Sequence, residues 1–397
     1  MLKKLFRVIG LLFLCCIVLL IAIFVFMNSS YKKLDAHTME HVPKVTSIPF
    51  EYAPSGHIVI QVGIDDTQNT YPFILDSGAA NYLFENYLGQ QSPKTTGRTL
   101  SMDTNGAFSF PKIYEAPYIG IGDITLRNVG FKYTEQPFQC YDHIYGLIGA
   151  NIMRHFVWQI DYQNQLIHIS KERRHLPVTP DKESAIGIAK NKWGHQIYTS
   201  FAVGDKKGQF TIDLGSNSVL TIPLKKIDSS TVANGRELLG IGSSGLSSND
   251  KESKKYVVTI DTLKLGKEKR PFTNVETYAS NSSSFTAIGN GFLKHFLITL
   301  DYPEKQLYLQ DKNDQPFVHR TQSVGFQFDD GLSVRSVFKH SNAYALGIRP
   351  EMDLISINGV VVKNETEFCE LRRQLKHLNT ITIRIQGKPE AVTITNN

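Results

Sequence analysis

The chain reads as a mainly β protein of two related lobes, preceded by one long apolar helix and followed by a small α+β domain. Three observations predict this. A short motif recurs at long period, twenty uncharged residues lie near the N-terminus, and the last 75 or so residues follow a different pattern.

The recurring motif is Asp76-Ser77-Gly78-Ala79 and Asp213-Leu214-Gly215-Ser216. Each aspartate ends a short apolar run, Tyr71-Pro72-Phe73-Ile74-Leu75 or Gln209-Phe210-Thr211-Ile212, and enters a small-residue turn. A single Asp-Ser-Gly is common in ordinary turns. Here the downstream sequence repeats as well. Leu147-Ile148-Gly149 follows Asp76 and Ala287-Ile288-Gly289 follows Asp213. Twelve residues beyond each of those glycines comes an Asp-Tyr pair, Asp161-Tyr162 or Asp301-Tyr302. Between them Met153-Arg154-His155-Phe156 matches Leu293-Lys294-His295-Phe296, and each repeat closes on an alternating strand, Leu166 to Ile169 or Leu307 to Leu309. The period is too long for a solenoid, so it marks two lobes, each presenting one carboxylate.

This arrangement resembles the pepsin-like and retropepsin-like aspartic peptidases, whose lobes carry Asp-Thr/Ser-Gly followed later by two hydrophobic residues and a glycine. The resemblance spans roughly Phe50 to Gln310. It implies bilobal, pepsin-like (duplicated retropepsin-like) β-barrel lobes with a cleft between them, and it implies Asp76 and Asp213 as the catalytic pair. The chemistry requires two carboxylates. Without a metal or a nucleophilic side chain, amide hydrolysis needs a base to activate water and an acid to protonate the carbonyl oxygen. Two adjacent Asp do both by sharing one proton. Gly78 and Gly215 are expected to let backbone approach the carboxylates and to allow positive φ.

Two positions depart from the family pattern. Ser77 keeps the hydroxyl that clasps the opposite lobe, whereas Leu214 has none, a loss worth about 1 kcal/mol per hydrogen bond. Ala79 lacks the hydroxyl that Ser216 offers its carboxylate. A cleft-closing hairpin is expected at Thr99 to Phe110, where alternation flanks Asn105-Gly106, with Phe108 near the tip. The family's tyrosine near that tip is missing. The matching stretch of the second lobe, Gly240 to Asp250, is rich in Gly and Ser and reads as a cleft-rim loop.

Lys3, Lys4 and Arg7 precede Val8 to Met27, an uncharged run that spans about 30 Å as a helix, the thickness of a bilayer core. It exceeds the h-region of a cleaved signal and lacks an Ala-x-Ala site. Residues 1–27 therefore read as a single-pass signal anchor, with the rest extracytoplasmic, in the periplasm or at the cell exterior. A cleaved signal is the competing reading. Residues 28–46 read as a polar stalk, 47–172 and 181–312 as the lobes, and 321–397 as the last domain. Composition, 41% apolar and 11% aromatic, supports sizeable cores. The formal charge of +6 forms no basic stripe, which disfavours a nucleic-acid partner. Cys15 and Cys16 lie in the apolar run, and Cys140 and Cys369 fall in different domains, so no disulfide framework is expected. His155 and His295 read as packing or surface residues rather than metal ligands, and neither metal nor organic cofactor is expected.

The C-terminal stretch has strands at Val324 to Phe328 and Gly331 to Phe338, then Ala345, Gly347-Ile348, Asp353, Ile355 and Ile357-Asn358-Gly359. This resembles a bacterial PDZ domain, with Met352 in place of the usual glycine. Glu365 to Lys376 places Phe368, Leu371 and Leu375 on one helix face, and strands follow at Thr380 to Ile385 and Glu390 to Thr395. The resemblance implies a peptide ligand added as a strand beside that helix, and the competing reading is a module that only packs against the body. Together these features are expected to make a membrane-anchored aspartic endopeptidase of the bacterial, PDZ-bearing type, acting on a protein or peptide substrate. Two alternatives stay open: a catalytically inactive peptide-binding scaffold, favoured by Leu214, and a first lobe that works by dimerising.

Overall fold

Both repeats fold around the same local device. The apolar strand that delivers each aspartate is flanked, in parallel, by the short strand containing the hydrophobic-hydrophobic-glycine motif. Gly146–Gly149 runs beside Thr70–Asp76 with Gly149 opposite Asp76, and Ala287–Gly289 runs beside Lys206–Asp213 with Gly289 opposite Asp213. Each short strand also pairs antiparallel with the strand that follows its aspartate turn, Tyr82–Phe84 or Leu220–Pro223. Covered on both sides, these strands read as unbroken apolar runs rather than alternating ones. The structure, a computed structural model, describes residues 2–65, 69–88, 94–102, 108–135, 140, 143–240, 254–266, 271–281, 285–311, 324–375 and 378–395. It is mainly β, with two barrel lobes and one N-terminal apolar helix.

A six-stranded sheet joins the lobes. Its two central strands, Val157–Asp161 and Phe296–Asp301, are the equivalent strands of the two repeats and pair antiparallel, with Gln159 opposite Thr299. Gln159 Nε2 donates to Thr299 Oγ1 at 3.0 Å across this pseudo-twofold axis. Thr46–Pro49 and Leu166–Ser170 extend the sheet on one side, and Gln306–Asp311 and Ile186–Gly187 on the other. One hydrophobic core runs through both lobes, from Ile58, Phe73 and Trp158 to Phe210, Phe292 and Ile298. The lobes therefore do not fold as beads on a linker.

The N-terminal helix runs Leu2–Leu34, longer than the apolar run alone. Its Phe6–Leu34 stretch is long and apolar enough to cross a membrane, with a window of mean hydropathy 3.4 in which no residue is buried. The expected stalk is not a free tether. Leu34 is buried, Ser30 Oγ donates to Arg98 O at 2.7 Å, and Lys33 Nζ donates to Thr96 O at 2.8 Å. Thr38–His41 then pairs with Ile124–Thr134, and Thr46–Pro49 enters the inter-lobe sheet. The physical reason is that sheet edges in the first lobe leave backbone groups unpaired, and this segment supplies their partners.

Residues 324–395 form a third unit with its own core, including Phe326, Val337, Ile348, Ile357, Leu371 and Ile383. The helix Glu365–Leu375 buries Phe368 and Leu371 as its spacing requires. Where glycine was expected, Met352 is tolerated because the preceding residue, Glu351, takes the left-handed conformation instead (φ +68°). The unit is sewn onto both lobes. Val334–Phe338 pairs with Arg236–Gly240 of the second lobe, Leu238 opposite Phe338. Cys140 of the first lobe is disulfide-bonded to Cys369 on the helix, and Cys140 N–H donates to Glu365 Oε1 at 2.7 Å. The expectation of no structural disulfide is thus overturned. The two thiols belong to different units, but those units pack so that the Cα atoms come within 5.3 Å.

The bridge closes a loop across a sequence separation of 229 residues, long enough for a large restriction of the unfolded chain. Cys140→Ser with Cys369→Ser is expected to lower unfolding stability by about 2–5 kcal/mol, read as a lower denaturation midpoint. A midpoint unchanged from that of the oxidised parent would contradict this.

Candidate active site

Asp76 and Asp213 each sit at the C-terminal end of a buried strand, where the chain breaks into a tight turn. The turns face each other across the inter-lobe axis. Each aspartate is buried, about 8% exposed as a residue, and the two carboxyls are hydrogen-bonded to one another. In its own turn, each Oδ1 accepts from the amide two residues on, Gly78 N–H at 2.8 Å and Gly215 N–H at 2.9 Å. The Ala79 and Gly215 amides also donate to Asp76, and the Ser216 amide to Asp213.

The glycines are required by close approach across the lobes. A methyl group at Gly78 would stand 2.5 Å from Asp213 Cγ, and one at Gly215 would overlap the Asp76 carboxyl. Neither glycine has positive φ, so the expected conformational reason does not apply here. Each lobe thus covers the other's carboxyl with bare backbone.

Ser77 is fully buried and clasps the second lobe twice. Its Oγ donates to Ile212 O at 2.7 Å and accepts from Leu214 N–H at 3.0 Å. Leu214, also fully buried, returns no such bond. Its carbonyl accepts instead from Asn290 Nδ2, whose Oδ1 accepts from Tyr162 O–H at 2.7 Å. The first lobe adds a tie that sequence reasoning missed: His57 Nε2 lies 2.9 Å from Gly215 O, and Asn217 Nδ2 donates to Ser55 O at 2.7 Å. Nothing in the local sequence around His57 signals this, because it depends on how the lobes dock. Ser216 serves its carboxylate through the backbone. Its hydroxyl is 2.7 Å from Ser218 Oγ, not on the carboxylate as expected.

Burial raises the pKa of both carboxyls. For Asp213 the adjacent Asp76 charge adds to burial and pushes it well above the usual carboxylate range. For Asp76 the Gly78 amide and the bond from Asp213 pull back against burial, and the net rise is smaller. Both shifts point the same way, so one proton is shared by the pair, and its titration belongs to the pair and not to either residue. Tyr302, the tyrosine of the second Asp-Tyr pair, is buried. Its phenol is pushed up first by burial and then by the Asp76 charge.

The expected closing hairpin has its stem in place, Ser101–Met102 paired with Phe108–Ser109. Met102, Phe108 and Phe110 are exposed along it. Its tip, Asn105 and Gly106, lies outside the described residues, as does 241–250 of the second-lobe loop. At the root of the stem Lys132 is buried beside Ser101 Oγ (3.1 Å) and near the rings of Tyr31 and Tyr82. Burial pushes its ammonium down to about 8. A surface concavity lined by Tyr71, His143 and Tyr145 lies at the far end of the Asp76 strand and is unrelated to the carboxyl pair. Among the described residues no group of three or more His, Cys, Asp or Glu could hold a metal ion. The His155 ring packs against His37 at a tilt of 59°, ring centroids 4.3 Å apart.

Two stability measurements test this geometry independently of any activity. At pH 7 both aspartates are ionised in the unfolded chain while the folded pair holds one proton. The mismatch destabilises the fold above the ordinary carboxylate pKa and disappears below it. Asp213→Asn should therefore stabilise the fold at pH 7, by about 1.4 kcal/mol for each pKa unit relieved and read as a higher melting temperature, and give no gain near pH 3. Lys132 has a depressed folded pKa, so the folded state binds fewer protons than the unfolded one between about 8 and the ordinary lysine value. Stability should rise with pH across that window, and Lys132→Met should remove the slope and add about 3 kcal/mol at neutral pH. No family model matches the chain, and no curated protein matches it in sequence.

Proposed function

We propose that this chain is an aspartic endopeptidase, tethered to a membrane by its N-terminal helix and facing an oxidising, extracytoplasmic space. The observation that carries the reading is the buried, mutually hydrogen-bonded Asp76–Asp213 pair, held by backbone amides at the meeting point of two pseudo-symmetric lobes. Ionised Asp76 takes a proton from water, whose oxygen attacks the scissile carbonyl carbon. Asp213 gives its proton to the carbonyl oxygen, forming a neutral gem-diol. As the C–N bond breaks, the nitrogen takes a proton and the diol loses one, which restores the singly protonated pair. The exposed Met102 and Phe108 on the paired strands Ser101–Met102 and Phe108–Ser109 suit the stem of a lid over an extended peptide. The Cys140–Cys369 bridge supports the oxidising compartment.

The third unit is read as PDZ-like. Phe326–Phe328 is the last strand of its sheet among the described residues, so a peptide could add along that edge. Phe328 and Phe368 already face each other across the space between strand and helix, ring centroids 5.9 Å apart. This favours a unit that braces the body over an open peptide groove. The inactive-scaffold alternative still draws on Leu214. The dimer alternative is weakened because Asp76 finds its partner carboxyl within one chain.

Asp76→Asn and Asp213→Asn are each expected to cut hydrolysis of an unstructured protein substrate at least about 10²-fold, the scale of general acid–base catalysis. Either variant retaining full activity contradicts the mechanism. A parent chain that binds peptides but cleaves none would leave the scaffold reading in its place.

A further inference from the structure

The helix and the second lobe meet at one point that fixes the height of the body above the membrane. Trp193 of the second lobe packs edge-on against Phe24 at 6.1 Å and stacks on Tyr31 at 6.3 Å between ring centroids. Lys192 Nζ lies 6.0 Å from the centre of the Phe24 ring. Phe24 is three residues inside the end of the uncharged run at Met27, about 4.5 Å along the helix axis. A side chain that touches Phe24 therefore lies close to the level where the uncharged run ends.

The chemistry of the loop Asn191-Lys192-Trp193-Gly194 suits that level. Tryptophan is favoured at the boundary between hydrocarbon and headgroups, and lysine spans it with an apolar stem and a charged tip. The Trp193 side chain is partly exposed, while its indole N–H is enclosed without a hydrogen-bond partner among the described residues, so the ring and not the donor is what lipid would meet. Cations gather nearby. The Lys190 ammonium is pushed down by burial and then by Arg154 and Lys305, and the helix ends in Lys32 and Lys33.

We propose that the Lys192-Trp193 loop is a lipid-binding element that seats the second lobe on the membrane surface, with its lysines against anionic headgroups. This rests on the reading that the Phe6–Leu34 helix spans a bilayer. The loop is a second contact with the membrane, separate from the helix. It joins the Asp35–His195 bond (2.7 Å) and the Asp35–Asn151 bond (2.6 Å) in tying the base of the helix to both lobes. The body is thereby held at a fixed height and orientation instead of swinging on a stalk.

The chain has two tryptophans, and the other, Trp158, is fully buried in the core. Tryptophan quenching by lipid therefore reports Trp193 alone. The full-length chain would be reconstituted in phosphatidylcholine vesicles with brominated acyl chains, with and without phosphatidylglycerol. Loss of emission is expected for the parent, deeper with the anionic lipid, and is expected to vanish in Trp193→Phe. Lys190→Glu with Lys192→Glu should abolish the difference between the two lipid mixtures. Parent emission unchanged by brominated lipid, while an alkaline carbonate wash leaves the chain in the vesicles, overturns the proposal and spares the spanning helix. Release by carbonate overturns the spanning helix itself, and quenching as strong in Trp193→Phe as in the parent also overturns the proposal. Equal quenching in both lipid mixtures overturns the anionic contact.

Discussion

Two carboxyl groups that cannot both be ionised are forced together at the centre of this molecule, and the surrounding fold exists in the form needed to keep them there. Burial and mutual repulsion oppose the contact. The amides of Gly78, Ala79, Gly215 and Ser216 answer it by directing N–H dipoles at the charge. Those amides reach the carboxyls only because no side chain intervenes at Gly78 and Gly215, where any Cβ would collide with the opposite lobe's aspartate. Each lobe is incomplete without the other, since the backbone that shields one carboxyl belongs to its partner's turn.

The larger architecture reads as successive layers of restraint on that contact. The antiparallel pairing of Val157–Asp161 with Phe296–Asp301 sets the lobes about a common axis. Ser77 then crosses the axis with two hydrogen bonds. Leu214 gives up the reciprocal pair and supplies apolar burial, and His57 and Asn217 tie the same turns from the rim. Further out, the C-terminal unit bridges the lobes, by strand pairing to one and by a disulfide to the other. The segment that follows the N-terminal helix does the same through Asp35, which contacts Asn151 and Arg154 of the first lobe and His195 of the second. Burial raises the Asp35 pKa, but the His195 bond and the charges of His195 and Arg154 outweigh it and lower the net value, so the carboxylate stays ionised as a junction should.

Much of this was legible in the sequence because it is local or repeated. The Asp-x-Gly turns, the hydrophobic-hydrophobic-glycine strands and the Asp-Tyr pairs are short strings whose recurrence declared two lobes. The helix at Glu365 was readable from the spacing of Phe368, Leu371 and Leu375. What escaped depends on contacts between distant segments. Cys140 and Cys369 looked unrelated because nothing local says that two units will dock. Residues 28–46 looked like a stalk because their polar side chains conceal a backbone that completes sheet edges. Nothing local marks Lys132, and only packing against Tyr31 and Tyr82 makes it a buried cation. Ser216 was assigned its role through its hydroxyl, whereas its amide is what the turn presents.

The central claim is that one proton is held between Asp76 and Asp213 at neutral pH, and it can be observed directly. Carbon-13 NMR of aspartate-labelled protein, with the signals assigned through the two Asp→Asn variants, follows each carboxyl through its titration. The account predicts one buried carboxyl still protonated near pH 7. Its titration should move back toward the ordinary aspartate range when Asp76 is replaced by Asn. Two carboxyls that both ionise in that ordinary range, and do not respond to each other's replacement, would contradict it.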